Sequence, residues 1–473
     1  MRSGHLRTLG LTVGIAVTLA ACGGGGPVKV PAGKSHVTLT IQDTPPTGIT
    51  ILAFQISILG ATLNPVQTGG VSSVQQPVSV LDSPADVELT QLATYSTLLT
   101  EASVPENSYS GITLTFGTSR MTYQNNSGSA IGTCANGSIC QVNPIVSPST
   151  ITVSSLPAFP ISLYASSPGG LQLDFNLTQG IIPDLSIFTP TVTVTQLSVS
   201  QSSQGSLGMD QMNNLEGLVT SANAATSQFG LSSSLYPVSI STDNNTQFDG
   251  FSDQGLTNGF AGLQVGQRVR SQAILNPDGT LSATIVELQQ TSAAAQAPQI
   301  KGTITSVDSG TEFHMVVRDE LQQVSGILVG DLVTVNLAGA PTFAIEPDGL
   351  TVPPVFSFAS ANDLMVGQEV QVTVASGSSG SVVSTDQITL RMSDLTAKVN
   401  IINNAAIITV GNLSPLYTSA GIPTLRLGVV PETRYNNVPS LAVGQTLAAR
   451  GLLFKFTETP ILISQTIGPQ IFY

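Results

Sequence analysis

Short stretches of alternating apolar and polar residues recur along this chain, separated by clusters of Gly, Pro, Asn and Ser. A period of two turns one side of a segment inward and the other outward, which marks a half-buried β-strand. Clear instances are His36-Val-Thr-Leu-Thr-Ile41, residues 49–63, Ser110-Gly-Ile-Thr-Leu-Thr-Phe116, Leu171-Gln-Leu-Asp-Phe-Asn-Leu177 and Thr191-Val-Thr-Val-Thr195. Helical periodicity is confined to residues 86–101, where Leu89, Leu92, Leu98 and Leu99 offer an apolar side for a turn or two of helix. The pattern predicts an all-β protein of sandwich and barrel type, with a first domain over 35–200 and about three small modules over 215–291, 299–394 and 397–470. A Ser/Gln/Gly-rich linker is expected at 201–214.

The second half repeats one element. Leu263-Gln-Val-Gly266-Gln-Arg-Val269, Leu364-Met-Val-Gly367-Gln-Glu-Val370 and Leu441-Ala-Val-Gly444-Gln-Thr-Leu447 share a pattern, and Leu328-Val-Gly330-Asp-Leu-Val333 is a looser fourth copy. Such wide spacing fits separate small domains rather than a solenoid, whose units run to about 20–50 residues. The glycine is expected to supply a turn, with the apolar residues on either side facing inward as the next strand starts.

Two resemblances rest on these segments. Val37-Thr-Leu-Thr-Ile-Gln-Asp43-Thr-Pro45 with Ile56-Ser-Ile-Leu-Gly-Ala-Thr-Leu63, then Val87-Glu-Leu-Thr-Gln-Leu92, Val104-Pro-Glu-Asn-Ser-Tyr109 and Leu171–Leu177 resemble, in order, a bacterial lipoprotein domain family of unknown function. That resemblance implies a prealbumin-like or immunoglobulin-like sandwich. Glu106-Asn107 stands where that family usually has Ala-Gly, and Asn176 where it often has a second aspartate. The Val-Gly-Gln units resemble a second uncharacterised family of exported small β-barrel-like domains.

One apolar run has another meaning. Arg2 and Arg7 precede a stretch from Leu9 that ends in Leu19-Ala-Ala-Cys22, followed by four glycines. From Leu9 to Cys22 the run is too short for the roughly 20 residues that cross a ~30 Å hydrocarbon core. Basic residues, a short apolar stretch and small residues before a cysteine read as a lipoprotein signal peptide over 1–21, with Cys22 lipidated and 22–34 a Gly-rich tether. Acyl chains on Cys22 would make the membrane this protein's first partner and place it on the cell envelope. Gly23, rather than Asp, points to the outer membrane if the cell is Gram-negative. With Cys22 taken by lipid, Cys134 and Cys140 remain, flanking Asn136-Gly137, a dipeptide favouring tight hairpin turns. They are expected to form a disulfide in an oxidising compartment.

Composition removes several function classes. The net charge is −13 and only 9% of residues are charged, so the basic patch that nucleic acid requires is missing. Of the three histidines, only His36 and His314 follow Cys22, and they fall in different expected domains. Gly33-Lys34-Ser35 echoes a phosphate-binding loop, but Val28 occupies its first glycine position. No cofactor is expected. The metal candidate is Asp243, Asn245 and Asp249, whose clustered oxygens suit calcium. Phe248 and Gln254, however, replace the Gly and Glu of the standard loop, and a polar hairpin is the alternative. The expectation is a non-enzymatic structural, adhesion or assembly protein with an envelope protein or glycan partner. A glycan- or peptide-binding role is the alternative, and a carboxylate hydrolase a more distant one. The chain has no Trp and eight Tyr, few for aromatic sugar platforms.

Overall fold

The structure is a computed structural model. It describes residues 34–469 except 45–47, 68–74, 91–96, 165–168, 182–183, 198–211, 234–236, 277–279, 292–297, 321–323, 325, 348, 376–377, 379, 405, 436–439 and 457–458. Strands dominate throughout. The first domain is a sandwich. One sheet runs Val192–Leu197, Gly169–Asn176, Lys34–Thr44, Thr97–Pro105, with the middle two strands parallel. The other is built on the antiparallel pair Ile49–Pro65 and Asn107–Asn125. Between them lies a core that includes Phe54, Ile56, Phe116, Phe175 and Phe188, with Phe54 and Phe188 edge to face at 4.9 Å. Of the segment 86–101, where a helical turn is expected, the ends belong to the strands Ala85–Glu88 and Thr97–Pro105, Thr90 is in 3-10 conformation, and 91–96 lies outside the described residues. Val87 and Leu89 face the core by strand alternation.

One break in that alternation prepares the contact with the barrels. A register shift interrupts the pairing of Ile49–Pro65 between Ile51 and Ala53. Ile49 and Ile51 before it, and Phe54 and Ile56 after it, pack on the sandwich core. Leu52 and Ala53, at the bulge, join a different apolar cluster with Val316, Val366 and Leu416 from further along the chain. A one-residue bulge reverses the faces of a strand, and here it turns two apolar side chains outward to receive another domain.

Three five-stranded barrels come after the sandwich. The first uses Met212–Asn223, Gln228–Ser233, Pro237–Ser241, Arg268–Leu275 and Leu281–Gln290, its third and fifth strands pairing in parallel to close the ring. The second uses Gln299–Ser309, Glu312–Glu320, Leu332–Ile345, Glu369–Thr373 and Val382–Ile402, closed likewise. The third begins in the far half of Val382–Ile402 and continues through Ile407–Gly411, Leu425–Tyr435, Thr446–Phe454 and Ile461–Pro469. Strand order 1-2-3-5-4 closing back on 1 is that of the OB-type Greek-key barrel. The boundary expected near 394–397 falls inside a strand of 21 residues that serves barrels 2 and 3 in turn.

The Gly-centred turns are all closed the same way. Gly266, Gly330, Gly367 and Gly444 have φ of +88°, +91°, +87° and +88°, the left-handed region where glycine carries no Cβ penalty. Each donates its N–H to the carbonyl of a neighbouring strand residue: Val219, Val317, Ile304 and Val399. That residue returns a bond to the carbonyl after the glycine, 2.8 Å in every case. The side chain after the glycine (Gln267, Asp331, Gln368 or Gln445) accepts from the amide three residues earlier, at 2.7–3.1 Å. Asp331 therefore substitutes for glutamine in the looser copy. The expected inward packing needs one correction: Val265 and Val443, immediately before the glycine, are 65% and 66% exposed. The residues three positions after it, Val269, Val333, Val370 and Leu447, are the buried ones.

Candidate functional site

The sandwich, barrel 2 and barrel 3 enclose a cleft of about 580 Å³. Its apolar wall includes Ile49, Ile51 and Leu52 from the bulged strand and Leu395, Leu413 and Leu416 from barrel 3. Its polar groups are mainly hydroxyls and amides, among them Thr50, Thr90, Asn126, Ser393 and Asn412. Three ionised side chains reach it, each held by an opposite charge. Arg318 of barrel 2 pairs with Glu88 of the sandwich at 3.2 Å, and Glu88 also accepts the Phe54 and Thr90 amides. Glu369 pairs with Lys301 at 3.2 Å, and Arg450 bonds both carboxylate oxygens of Asp394 at 3.1 Å. Burial alone would raise the Glu369 carboxyl, but Lys301, Arg318 and Arg450 outweigh it and hold the group below the usual range.

Tyr417 closes one end. It sits on the short helix Pro415–Ser419 of barrel 3, its ring so close to Gly367 that a Cβ there would collide with it. Its hydroxyl donates to the Gly367 carbonyl at 3.4 Å, and burial pushes its pKa up. A second contact joins the sandwich to barrel 2. Arg120 of the sandwich pairs with Asp331, and Thr122 and Gln141 both donate to the Gly330 carbonyl. Two of the four glycine turns therefore act as docking points between domains.

Barrels 1 and 2 meet along a buried charged seam. Arg270 binds Glu287 through Nε at 3.2 Å and Nη2 at 2.6 Å. Arg391 of barrel 2, 1% exposed, reaches Gln289 of barrel 1 at 2.6 Å. Glu287 and Glu346 share a hydrogen bond across the seam. Burial, then that bond and the charge of Glu287, push Glu346 up to about 9, so it holds the shared proton at neutral pH. Glu287 stays low because Arg270 and Arg391 outweigh the burial that would raise it. Two carboxyls do converge here, but in direct contact, not at the roughly 5–10 Å that glycosidase mechanisms need.

Of the residues singled out from sequence, Cys22 lies outside the described residues. Cys134 and Cys140 form a disulfide, with Cα atoms 6.0 Å apart and Gly137 at φ +85° in the turn between them. Asp243, Asn245 and Asp249 sit on a barrel 1 connection. Asp243 accepts from the Asn245 and Thr246 amides at 2.8 and 3.1 Å, which lowers its pKa. Gln247 donates to both oxygens of Asp249 at 2.9 Å. This is the polar-turn geometry, with Asp243 fixing backbone. Sequence reasoning passed over Glu88, Lys301, Arg318, Glu369 and Arg391. The available signal was a lone charge inside a strand-like apolar run, as in Ile300-Lys-Gly-Thr-Ile304, in a chain with so few charges.

Residues 216–287, the body of barrel 1, match a family described as a domain of unknown function (DUF5666). No curated protein matches the chain. Among solved structures, the chain is similar to one titled "Crystal structure of Ag(I)CusF", at 17% identity over 17% of this chain and 97% of that one, TM-score 0.13. It is also similar to a multidomain protein with nucleic acid binding domains from Streptococcus pneumoniae TIGR4, at 13% identity over 53% of this chain and 72% of that one, TM-score 0.11. At those scores neither likeness bears on ligand or function.

Proposed function

We propose that this is an exported bacterial envelope protein, tethered by lipid on Cys22, that works without catalysis as an assembly scaffold. The observation that carries the scaffold reading is how the domains are joined. An outward-turned apolar pair, the Arg318–Glu88 and Arg120–Asp331 bridges, the charged seam and a strand shared by two barrels tie the described domains to one another. The Arg318–Glu88 and Arg120–Asp331 pairs cross from the sandwich to barrel 2, so separating those domains would break both. A protein that only needed to space domains apart would not carry such junctions. The envelope placement rests on the residues around Cys22, and no helix among the described residues is long and apolar enough to cross a membrane.

The second reading is ligand binding in the three-domain cleft, favoured by its size, since small-molecule sites occupy about 300–1,000 Å³ and gather at domain junctions. Hydroxyl and amide groups over an apolar wall suit a peptide better than a sugar, because the one aromatic ring there, Tyr417, is spent on Gly367. The scaffold reading is tested by cross-linking in cells with the intact protein beside Cys22→Ser. Partners captured only by the anchored form support envelope assembly. An identical partner set with both forms would remove the anchor from the account, and capture of a peptide competed off by Leu52→Arg would move the function to the cleft.

A further inference from the structure

Beyond the scaffold and its cleft, barrel 2 carries a cluster that neither uses. The hairpin joining Gln299–Ser309 to Glu312–Glu320 places Asp308, Glu312 and His314 together, their ligand atoms all within 4.8 Å of one another. The pairing register sets Ser309 opposite Glu312 and Ser306 opposite His314, so strand alternation brings the three onto the barrel's outer face. His314 Nε2 lies 2.7 Å from Asp308 Oδ2. Its other nitrogen, Nδ1, is 3.1 Å from the hydroxyl of Thr334, directly opposite it on the next strand. Among the described residues no lysine or arginine pairs with Asp308 or Glu312, so two carboxylates share one imidazole.

We propose that Asp308, Glu312 and His314 bind one zinc ion, with Thr334 as the positioning residue. The donor set is one imidazole nitrogen and two carboxylate oxygens, which suits zinc, whereas calcium prefers oxygen alone. A histidine ligand characteristically gives its second ring N–H to a fixed acceptor, which orients the ring and sets its tautomer. Thr334 would supply that acceptor: with zinc replacing the proton that Nε2 shares with Asp308, Nδ1–H would donate to the hydroxyl 3.1 Å away. Asp308 and His314 are 44% and 30% exposed, so modest side-chain rotation can bring three atoms to the roughly 2.0–2.2 Å that zinc requires, leaving the remaining positions to water. A plain His–Asp ion pair would have no use for Glu312.

The test is calorimetric titration of the tag-free protein with zinc chloride, repeated on Glu312→Gln, His314→Gln and Thr334→Val, with circular dichroism confirming that each is folded. One zinc per chain is expected, weakened more than tenfold by either ligand change and roughly tenfold by Thr334→Val. Calcium chloride is expected to give no heat at this site. Cobalt substitution is a second readout, with ligand-field absorption that His314→Gln abolishes. Absence of zinc binding, or binding unchanged in Glu312→Gln and His314→Gln, overturns the proposal.

Discussion

Replacing Glu346 with Gln should make this protein's stability less sensitive to pH, in a direction the seam dictates. Glu346 meets Glu287 of barrel 1, with Arg391 at 3.7 Å and Arg270 on the far side of Glu287. Its carboxyl is pushed up to about 9 by burial first and Glu287 second. A carboxyl raised in the folded state binds a proton that the unfolded chain has already lost, so stability falls as pH rises from the unfolded value near 4.5 toward 9. At about 1.4 kcal/mol per pH unit, the loss by pH 7 approaches about 3.5 kcal/mol as an upper bound. A glutamine side chain at this position could donate the same hydrogen bond to Glu287 without taking up a proton. Thermal unfolding of wild type and Glu346→Gln from about pH 5 to 9 should therefore show near-equal midpoints at the acid end and a widening advantage for the variant above it. A gap of several degrees is expected by about pH 8. A constant gap, or a variant that loses ground as pH rises, would refute the shared-proton seam.

Other consequences concern the turns and the disulfide. Gly266→Ala and Gly367→Ala alter the same motif position at nearly the same φ, yet only Gly367 is covered, by Tyr417. The first should cost about 1 kcal/mol and the second at least about 2 more, as Tyr417 is displaced from its buried site; denaturant titration reads both. Gln368→Ala removes a cap on the Met365 amide together with bonds to the Asp363 and Leu453 carbonyls. It should destabilise by about 2 kcal/mol, against roughly 1 for Gln445→Ala, which loses the Ala442 cap. Cys134→Ser with Cys140→Ser opens a loop of six residues' separation and should lower stability by about 2 kcal/mol, seen as a lower sandwich unfolding transition.

The all-β class was legible because alternation records which face of a strand is buried, and the hairpin disulfide because its cysteines flank a turn dipeptide. Pairing partners were not legible in the same way. Nothing local in Pro237–Ser241 announces that it closes barrel 1 by running parallel to Leu281–Gln290, and nothing in Val382–Ile402 announces that one strand serves two barrels. Leu52 and Ala53 read as ordinary strand residues, since the bulge that exposes them depends on a partner strand, Asn107–Asn125, far along the chain. The Val-Gly-Gln turns were recognisable as turns. That Gly367 and Gly330 also dock domains depends on Tyr417 and Thr122, which share no local pattern with them.

The placement of the whole molecule turns on residue 22. The most direct measurement is mass spectrometry of the N-terminal peptide of the protein extracted from cell envelopes. The account predicts a chain that begins at Cys22 and carries a diacylglyceryl group. Recovery from the soluble fraction with residues 1–21 still attached, or cleavage elsewhere with an unmodified cysteine, would contradict it.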